Sequence, residues 1–192
     1  MRKYIRDILI MVVIAVAIFV GLRFTVQTYV VYGPSMQPTF WEQQRLLVNK
    51  VVYKIHEPER GDIIIFHPPD EQRDSFIKRI IGLPGETVQI KDGAVYIYKE
   101  DGTVLLLDEP YIKEPSNRPF QGDVIPENNY FVLGDNRNNT NDSRNGWTVP
   151  DDRIIGKAWL SIWPPNRWGL ANSHPYQEQI AIATDEQFAF TR

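Results

Sequence analysis

The stretch from Thr87 to Tyr98 reads TVQIKDGAVYIY and decides the fold class of this chain. Runs rich in β-branched and aromatic residues lie on both sides of Asp92-Gly93, and an Asp-Gly pair between such runs predicts a tight β-hairpin. Further strand candidates cover residues 63–66, 104–107, 130–133 and 154–162. Because 14 prolines and 12 glycines punctuate these short pieces, the sequence predicts a mostly β domain of irregular sheets or a partly closed barrel.

The N-terminal end is much more apolar than the rest of the chain. Residues 8–22 read ILIMVVIAVAIFVGL without a charge, whereas the mean hydropathy of the whole chain is −0.33. Basic residues precede this run and Arg23 follows it, an order that predicts an uncleaved signal-anchor with a cytoplasmic N-terminus. We therefore expect residues 1–7 in the cytoplasm, a transmembrane helix over residues 8–26, a β-rich domain over residues 27–168 on the extracytoplasmic side, and a tail without an assigned role over residues 169–192.

A cleaved secretory signal is the alternative reading of the same segment, because it shares the charge order and the length of the apolar run. However, no small-x-small cleavage site follows the run, since residues 22–25 read LRFT. The run is also slightly shorter than the ~20 residues of a usual membrane span. Arg6 and Arg23 can compensate by extending their side chains toward the two membrane surfaces.

Composition excludes several function classes. The net charge of −3 and the absence of a long basic tract argue against nucleic-acid binding. The chain has no cysteine, which excludes disulfides, thiol catalysis and cysteine-ligated zinc. His56, His67 and His174 do not have the spacing of metal ligands, so we expect neither a metal site nor another cofactor.

Residues 33–38 read GPSMQP and place Ser35 on a stiff, irregular backbone between two prolines. Such a loop can hold a nucleophile, and Lys78 is the best candidate for its base. If the segment around Lys78 is a strand, Phe76, Lys78 and Ile80 share one face, where burial lowers a lysine pKa and yields a neutral amine. An exposed strand lysine is the alternative, and nothing in the sequence marks any of the histidines as a base.

Four motifs follow one another behind the apolar N-terminal segment: GPSMQPT at 33–39, RGDIIIF at 60–66, FIKRIIGLPGE at 76–86 and GDNRNNTNDSR at 134–144. In this order they resemble the motifs of the bacterial type I signal peptidases, which are membrane-anchored Ser-Lys proteases of the S26 type. The resemblance spans residues 31–162.

The resemblance implies a role for each matching residue. Ser35 would be the nucleophile, with its backbone N–H in the oxyanion hole, and Lys78 would be the general base. Thr140 stands where the family usually has serine, and its hydroxyl would orient the lysine nitrogen. Two supporting ion pairs, Arg79 with Asp135 and Arg144 with Asp142, would fix the surrounding loops, and Met36 would form a wall of the substrate pocket.

The resemblance also implies the substrate and the location. The partners would be the lipid bilayer and preprotein signal peptides, which are cut after small residues at the −3 and −1 positions. The catalytic domain would lie on the extracytoplasmic side of the cell membrane. One departure concerns Gly33, because many relatives have a serine there that donates its hydroxyl to the oxyanion. The second oxyanion donor is therefore left open.

Other readings of the same segments are possible. Ser75 to Lys78 is formally a Ser-x-x-Lys motif of penicillin-binding proteins, but its companion motifs are missing. A cytosolic self-cleaving Ser-Lys repressor would need a DNA-binding domain, whose place the apolar segment takes. A non-enzymatic, membrane-anchored β-rich binding module is the remaining alternative, and it would not depend on Ser35 or Lys78.

Overall fold

The computed structural model describes residues 2–69, 74–171 and 179–180, which form one α-helix and a succession of short strands. The helix α1 covers Arg2–Thr25. The strands are β1 (Val26–Val30), β2 (Arg45–Asn49), β3 (Ile63–Phe66), β4 (Phe76–Gly82), β5 (Thr87–Lys91), β6 (Ala94–Tyr98), β7 (Val104–Leu106), β8 (Phe120–Val124), β9 (Asn129–Leu133), β10 (Val149–Pro150), β11 (Ile154–Trp163), β12 (Gly169–Leu170) and β13 (Gln179–Ile180). Short 3₁₀ helices cover Val52–Lys54, Ser143–Asn145, Asp151–Arg153 and Pro165–Arg167.

The strands form two antiparallel sheets. The larger sheet has the order β1-β2-β11-β3-β4-β9-β10, with β12 added to β11, and it curls into a half-barrel. The smaller sheet has the order β13-β7-β6-β5-β8. The prediction of a mostly β domain with irregular, partly closed sheets is therefore confirmed, and register shifts within β11 account for part of the irregularity.

The hairpin predicted from the Asp-Gly pair joins β5 to β6. Lys91 pairs with Ala94, which leaves Asp92 and Gly93 as a two-residue turn. The backbone φ angle is 52° at Asp92 and 81° at Gly93. A type I′ turn needs a positive φ at both central residues, so the Asp-Gly pair sets the register of the whole hairpin.

The strand β3 is buried on both faces and stiffens the centre of the larger sheet. Ile63 and Ile65 pack in one hydrophobic cluster, whereas Ile64 and Phe66 pack in another on the opposite face. Each fully buried side chain of this size contributes about 1.5–3 kcal/mol through removal of apolar surface from water. Since β3 pairs directly with β4, this packing fixes the strand that carries Lys78.

A third cluster joins the two sheets. Ile81, Phe131 and Leu133 of the larger sheet pack against Val88 and other apolar residues of the smaller one. The smaller sheet is thus attached to the side of the half-barrel formed by β4 and β9.

The helix α1 has exposed apolar side chains, such as Ile8 and Met11, and none of its described side chains belongs to these three clusters. In the part of the chain that the structure describes, no helix combines the length and the apolar character needed to cross a membrane. The membrane span over residues 8–26 and the domain bounds therefore stay predictions. Most of the predicted tail, residues 172–178 and 181–192, lies outside the described residues.

Candidate active site

The Ser35 loop connects β1 to β2 and is fixed to a neighbouring segment. Gly33 has a φ of 75°, a left-handed conformation that favours glycine. The Gln37 N–H donates to the Pro34 carbonyl at 3.0 Å and closes a turn around Ser35. The Asn136 N–H donates to the Ser35 carbonyl at 3.0 Å, and the Asn136 side-chain amide donates to the Pro34 carbonyl at 3.2 Å. The serine is thus held between its own turn and the segment after β9.

Lys78 projects from β4 and meets this serine. Its Nζ is 2.9 Å from Ser35 Oγ and 2.9 Å from the Ile77 carbonyl oxygen, and the whole residue is only 4% exposed. Burial lowers the pKa of Lys78 to about 8, and the carboxylates of Asp142 and Asp135 partly oppose this by raising it. When the amine is neutral, it can accept the proton of the hydroxyl that it contacts.

A cleft of about 610 Å³ opens beside these two residues. The strand β1 pairs only with β2, and β4 pairs with β9 only from Arg79 onward, so in the described residues both strands have an unpaired edge. Such edges can bind an extended peptide through main-chain hydrogen bonds. Besides Ser35 and Lys78, the cleft is lined by Thr28, Tyr29, Val30, Val31, Tyr32, Leu46, Ile65, Asp74, Ser75, Phe76, Ile77 and Asn141.

The Arg79–Asp135 ion pair is completely buried next to the site. Arg79 Nε and NH2 donate to the two carboxylate oxygens of Asp135 at 2.9 and 2.7 Å. The guanidinium also lies 3.9 Å from the ring centroid of Tyr111 and donates to the Gly61 carbonyl. On its other side, Asp135 accepts the hydroxyl of Thr39 at 2.5 Å. This pair links β4 to the segment after β9 and to the end of the Ser35 loop.

The second ion pair closes the segment 134–144 on itself. Arg144 Nε and NH2 donate to Asp142 at 2.8 and 2.9 Å. Asp142 also accepts the Gly134 N–H at 3.2 Å, while Arg144 NH2 donates to the Arg137 carbonyl at 2.6 Å and NH1 to Ser116 Oγ at 2.9 Å. The structure therefore contains both of the ion pairs that the sequence predicts.

A third buried ion pair was not predicted. The fully buried guanidinium of Arg137 donates to both carboxylate oxygens of Glu109, and the Tyr111 hydroxyl donates to Glu109 at 2.6 Å. Arg137 Nε also holds the Gly134 carbonyl at 3.1 Å. Arg137 lies inside the motif at 134–144. Nothing in the sequence around Glu109 indicates that it pairs with Arg137, because the two residues are 28 positions apart.

Thr140 does not make the contact that the sequence predicts. Its buried Oγ1 forms no hydrogen bond with any described residue, whereas Lys78 Nζ bonds to Ser35 and to a main-chain carbonyl. Thr140 instead packs against Gly134. A Cβ at Gly134 would lie 2.6 Å from the Ser35 carbonyl oxygen and closer still to Thr140 Oγ1. The hydroxyl therefore lies near the Ser35 loop and forms no hydrogen bond to the lysine.

Met36 also differs from its prediction as a pocket wall. Its side chain is completely buried in the hydrophobic cluster with Phe40 and Leu46, and it does not line the cleft described above. The apolar walls come instead from side chains such as Tyr29 and Ile77. The Ser35 backbone N–H has no hydrogen-bond partner among the described residues and is thus available to a substrate oxygen.

Comparison with known proteins shows which family has this sequence. Residues 1–163 match the family profile described as "Signal peptidase, peptidase S26". The chain belongs to this family. The resemblance noted from the four motifs is confirmed, and membership of the signal peptidase family makes the chain a serine endopeptidase.

Several relatives align with most of the chain. A probable signal peptidase I-2 of Synechocystis is 37% identical over 177 residues, which are 89% of this chain and 79% of the relative. The signal peptidase I of Leptolyngbya laminosa is 40% identical over 170 residues, 84% of this chain and 81% of the relative. A crystal structure of a signal peptidase I from Enterococcus faecalis V583 is 34% identical and covers 54% of this chain and 97% of that chain, with a TM-score of 0.47.

The Glu109–Arg137 pair generates a stability prediction. In Glu109→Gln, the buried guanidinium of Arg137 loses its countercharge while the side-chain size is kept. Because an uncompensated buried charge is costly, we expect the free energy of unfolding to fall by about 3 kcal/mol. Urea denaturation measures this loss. The exposed Glu114 provides the control, and Glu114→Gln is expected to change stability by less than about 0.5 kcal/mol. Equal denaturation midpoints for the two variants would contradict the prediction.

Proposed function

We propose that this chain removes signal peptides from exported preproteins, with Ser35 as the nucleophile and Lys78 as the general base. The observation that carries the proposal is the 2.9 Å contact between Lys78 Nζ and Ser35 Oγ at the side of an open cleft. Membership of the signal peptidase family and the names of the relatives support the choice of substrate.

The proposed reaction uses the two side chains in turn. The neutral amine of Lys78 takes the hydroxyl proton of Ser35 while Oγ attacks the carbonyl carbon of the scissile bond. The resulting oxyanion accepts a hydrogen bond from the Ser35 backbone N–H. The Lys78 ammonium then gives its proton to the leaving amine as the C–N bond breaks. The neutral Lys78 then deprotonates a water molecule that attacks the ester carbonyl, and its ammonium returns this proton to Ser35 Oγ as the acyl C–O bond breaks.

The two predicted ion pairs position this pair of residues. Arg79 follows Lys78 directly in β4, so its bond to Asp135 fixes the strand against the segment after β9. That segment in turn holds the Ser35 carbonyl through the Asn136 N–H. We assign Arg79, Asp135, Asp142 and Arg144 a positioning role, because they act on Ser35 and Lys78 through the backbone.

The proposed substrate binds as an extended strand between the free edges of β1 and β4. Side chains of such a peptide alternate in direction, so residues −1 and −3 point to the same wall. Bulky apolar side chains such as Tyr29, Leu46 and Ile77 line the same cleft as Ser35 and restrict the space for substrate side chains. This arrangement supports cleavage after small residues.

We further propose that α1 attaches the chain to the cell membrane, with residues 1–7 in the cytoplasm and the catalytic domain on the extracytoplasmic side. The uncharged run of residues 8–22 supports this attachment, as do the exposed apolar side chains of α1. The basic residues before the run favour a cytoplasmic N-terminus.

Replacing either member of the pair tests the mechanism. We expect Ser35→Ala and Lys78→Met each to lower the cleavage rate of a precursor with Ala-x-Ala before the scissile bond by more than about a thousandfold. Gel analysis of precursor and mature product measures the rate. Lys91→Met, at an exposed position of β5, is the matched control and should keep full activity. Full activity of Ser35→Ala or Lys78→Met would overturn the assignment of these two residues, whereas a wild-type chain that cleaves no precursor would favour the non-enzymatic binding module.

The pKa of Lys78 predicts the pH dependence. The base must be neutral, and the neutral fraction increases as the pH rises through about 8. We therefore expect kcat/KM to rise about tenfold per pH unit below this value and to level off above it. Steady-state cleavage of a peptide without groups titrating between pH 6 and 10 measures the profile. A flat profile over this range would exclude a lysine base.

The absence of cysteine allows a clean test of the topology, because each introduced thiol is the only one in the chain. In intact cells, a membrane-impermeant maleimide should label Lys91→Cys but not Lys3→Cys, and lysis should expose both. We also expect the full chain to stay in the membrane fraction after alkaline carbonate washing. Labelling of Lys3→Cys in intact cells, or release by carbonate, would contradict the proposed attachment.

A further inference from the structure

Asn141 lies in the substrate cleft, although the proposed chemistry gives it no task. It is an exposed residue that lines the same cleft as Ser35 and Lys78. It directly follows Thr140, which packs against Gly134 beside the Ser35 carbonyl. An asparagine side chain offers one acceptor oxygen and two N–H donors, so its use depends on which end faces the cleft.

A chain of hydrogen bonds sets the direction of this side-chain amide. Arg118 NH1 donates to Asn145 Oδ1 at 3.0 Å, and Asn145 Nδ2 donates to Asn141 Oδ1 at 2.6 Å. A guanidinium has donors only, so it requires the oxygen of Asn145, which leaves the amide nitrogen of Asn145 for Asn141. Arg118 is itself held by a 3.3 Å bond from NH2 to the Arg144 carbonyl.

The remaining end of Asn141 is a free donor. Its Oδ1 is occupied, and its Nδ2 has no hydrogen-bond partner among the residues that the structure describes. We infer that Asn141 donates a side-chain N–H to a main-chain carbonyl oxygen of the bound peptide, and that Arg118 and Asn145 position it for this contact. The inference rests on the proposed function of the cleft.

A main-chain carbonyl is the acceptor that fits best. The free group is a donor, so its partner must be an acceptor, and every peptide offers carbonyl oxygens whatever its side chains. The contact would therefore strengthen ground-state binding of any extended substrate, which is a change in KM rather than in kcat.

Steady-state cleavage of a synthetic peptide with alanine at −3 and −1 by the full chain in detergent tests the inference. Asn141→Leu keeps the side-chain size and removes the donor, and we expect KM to rise about tenfold with kcat within about twofold. The pH midpoint of kcat/KM should not move, since no charge near Lys78 changes. Asn139→Leu is the matched control, because Asn139 is exposed in the same loop but does not line the cleft, and its KM should stay unchanged.

A second variant separates positioning from general damage to the loop. Arg118→Met removes the donor that sets the direction of both amides, and KM should rise about threefold in the wild-type background. In the Asn141→Leu background the same substitution should add nothing, because the group that it orients is gone.

Three results would overturn the inference: an unchanged KM in Asn141→Leu, a loss confined to kcat, or effects of Arg118→Met and Asn141→Leu that multiply. The variant Ser35→Ala keeps this test apart from the proposed function. If Ser35→Ala is inactive and Asn141→Leu has the wild-type KM, only the inference fails. If Ser35→Ala cleaves normally, the proposed function fails.

Discussion

The burial of the Lys78 amine is the constraint on which the rest of the site depends. A fully solvated lysine keeps its proton at neutral pH and cannot act as a base. Removing the amine from water favours the neutral form, but nearby carboxylates act against this, and Asp142 and Asp135 both do so here. Each of these carboxylates is bound by an arginine, Arg144 and Arg79 respectively. The ion pairs therefore reduce the negative field at the lysine while they hold the backbone in place.

The buried arginines form a connected support for the segment after β9. Arg79 binds Asp135, Arg137 binds Glu109, and Arg144 binds both Asp142 and the Arg137 carbonyl. Isolated buried charges are costly, so these groups are tolerated only because each is paired and also hydrogen-bonded. The cost makes the arrangement specific, since few other conformations of the segment would satisfy all of the charges at once.

The sequence predicted those features that depend on local pattern. The Asp92-Gly93 turn follows from the backbone freedom of two residues, and the buried strand at 63–66 follows from an uninterrupted apolar run. The prolines around Ser35, the strand face of Lys78 and the order of the four motifs together indicate this pair, and the structure brings the two side chains together across 43 residues.

The features that the sequence did not predict depend on long-range packing. Thr140 retains the hydroxyl of the usual serine, but its side chain packs against Gly134 and forms no bond to Lys78. Met36 follows Ser35 directly, yet the turn directs its side chain into the core. Glu109 lies between β7 and β8 of the smaller sheet, and it meets Arg137 of the segment after β9 across 28 residues of sequence. No periodicity or spacing encodes such contacts.

If the proposed peptide binds along the open edges of β1 and β4, this has a consequence for how substrates are distinguished. Hydrogen bonds along a main chain carry almost no information about sequence, because every residue except proline offers the same groups. As far as these main-chain hydrogen bonds are concerned, a cleft that holds its ligand by them binds any extended segment equally well. In the proposed binding mode, discrimination then comes from the walls, which exclude a side chain by its volume and disfavour a charged one because its removal from water is costly. Such a filter suits a population of ligands that share a shape but little else.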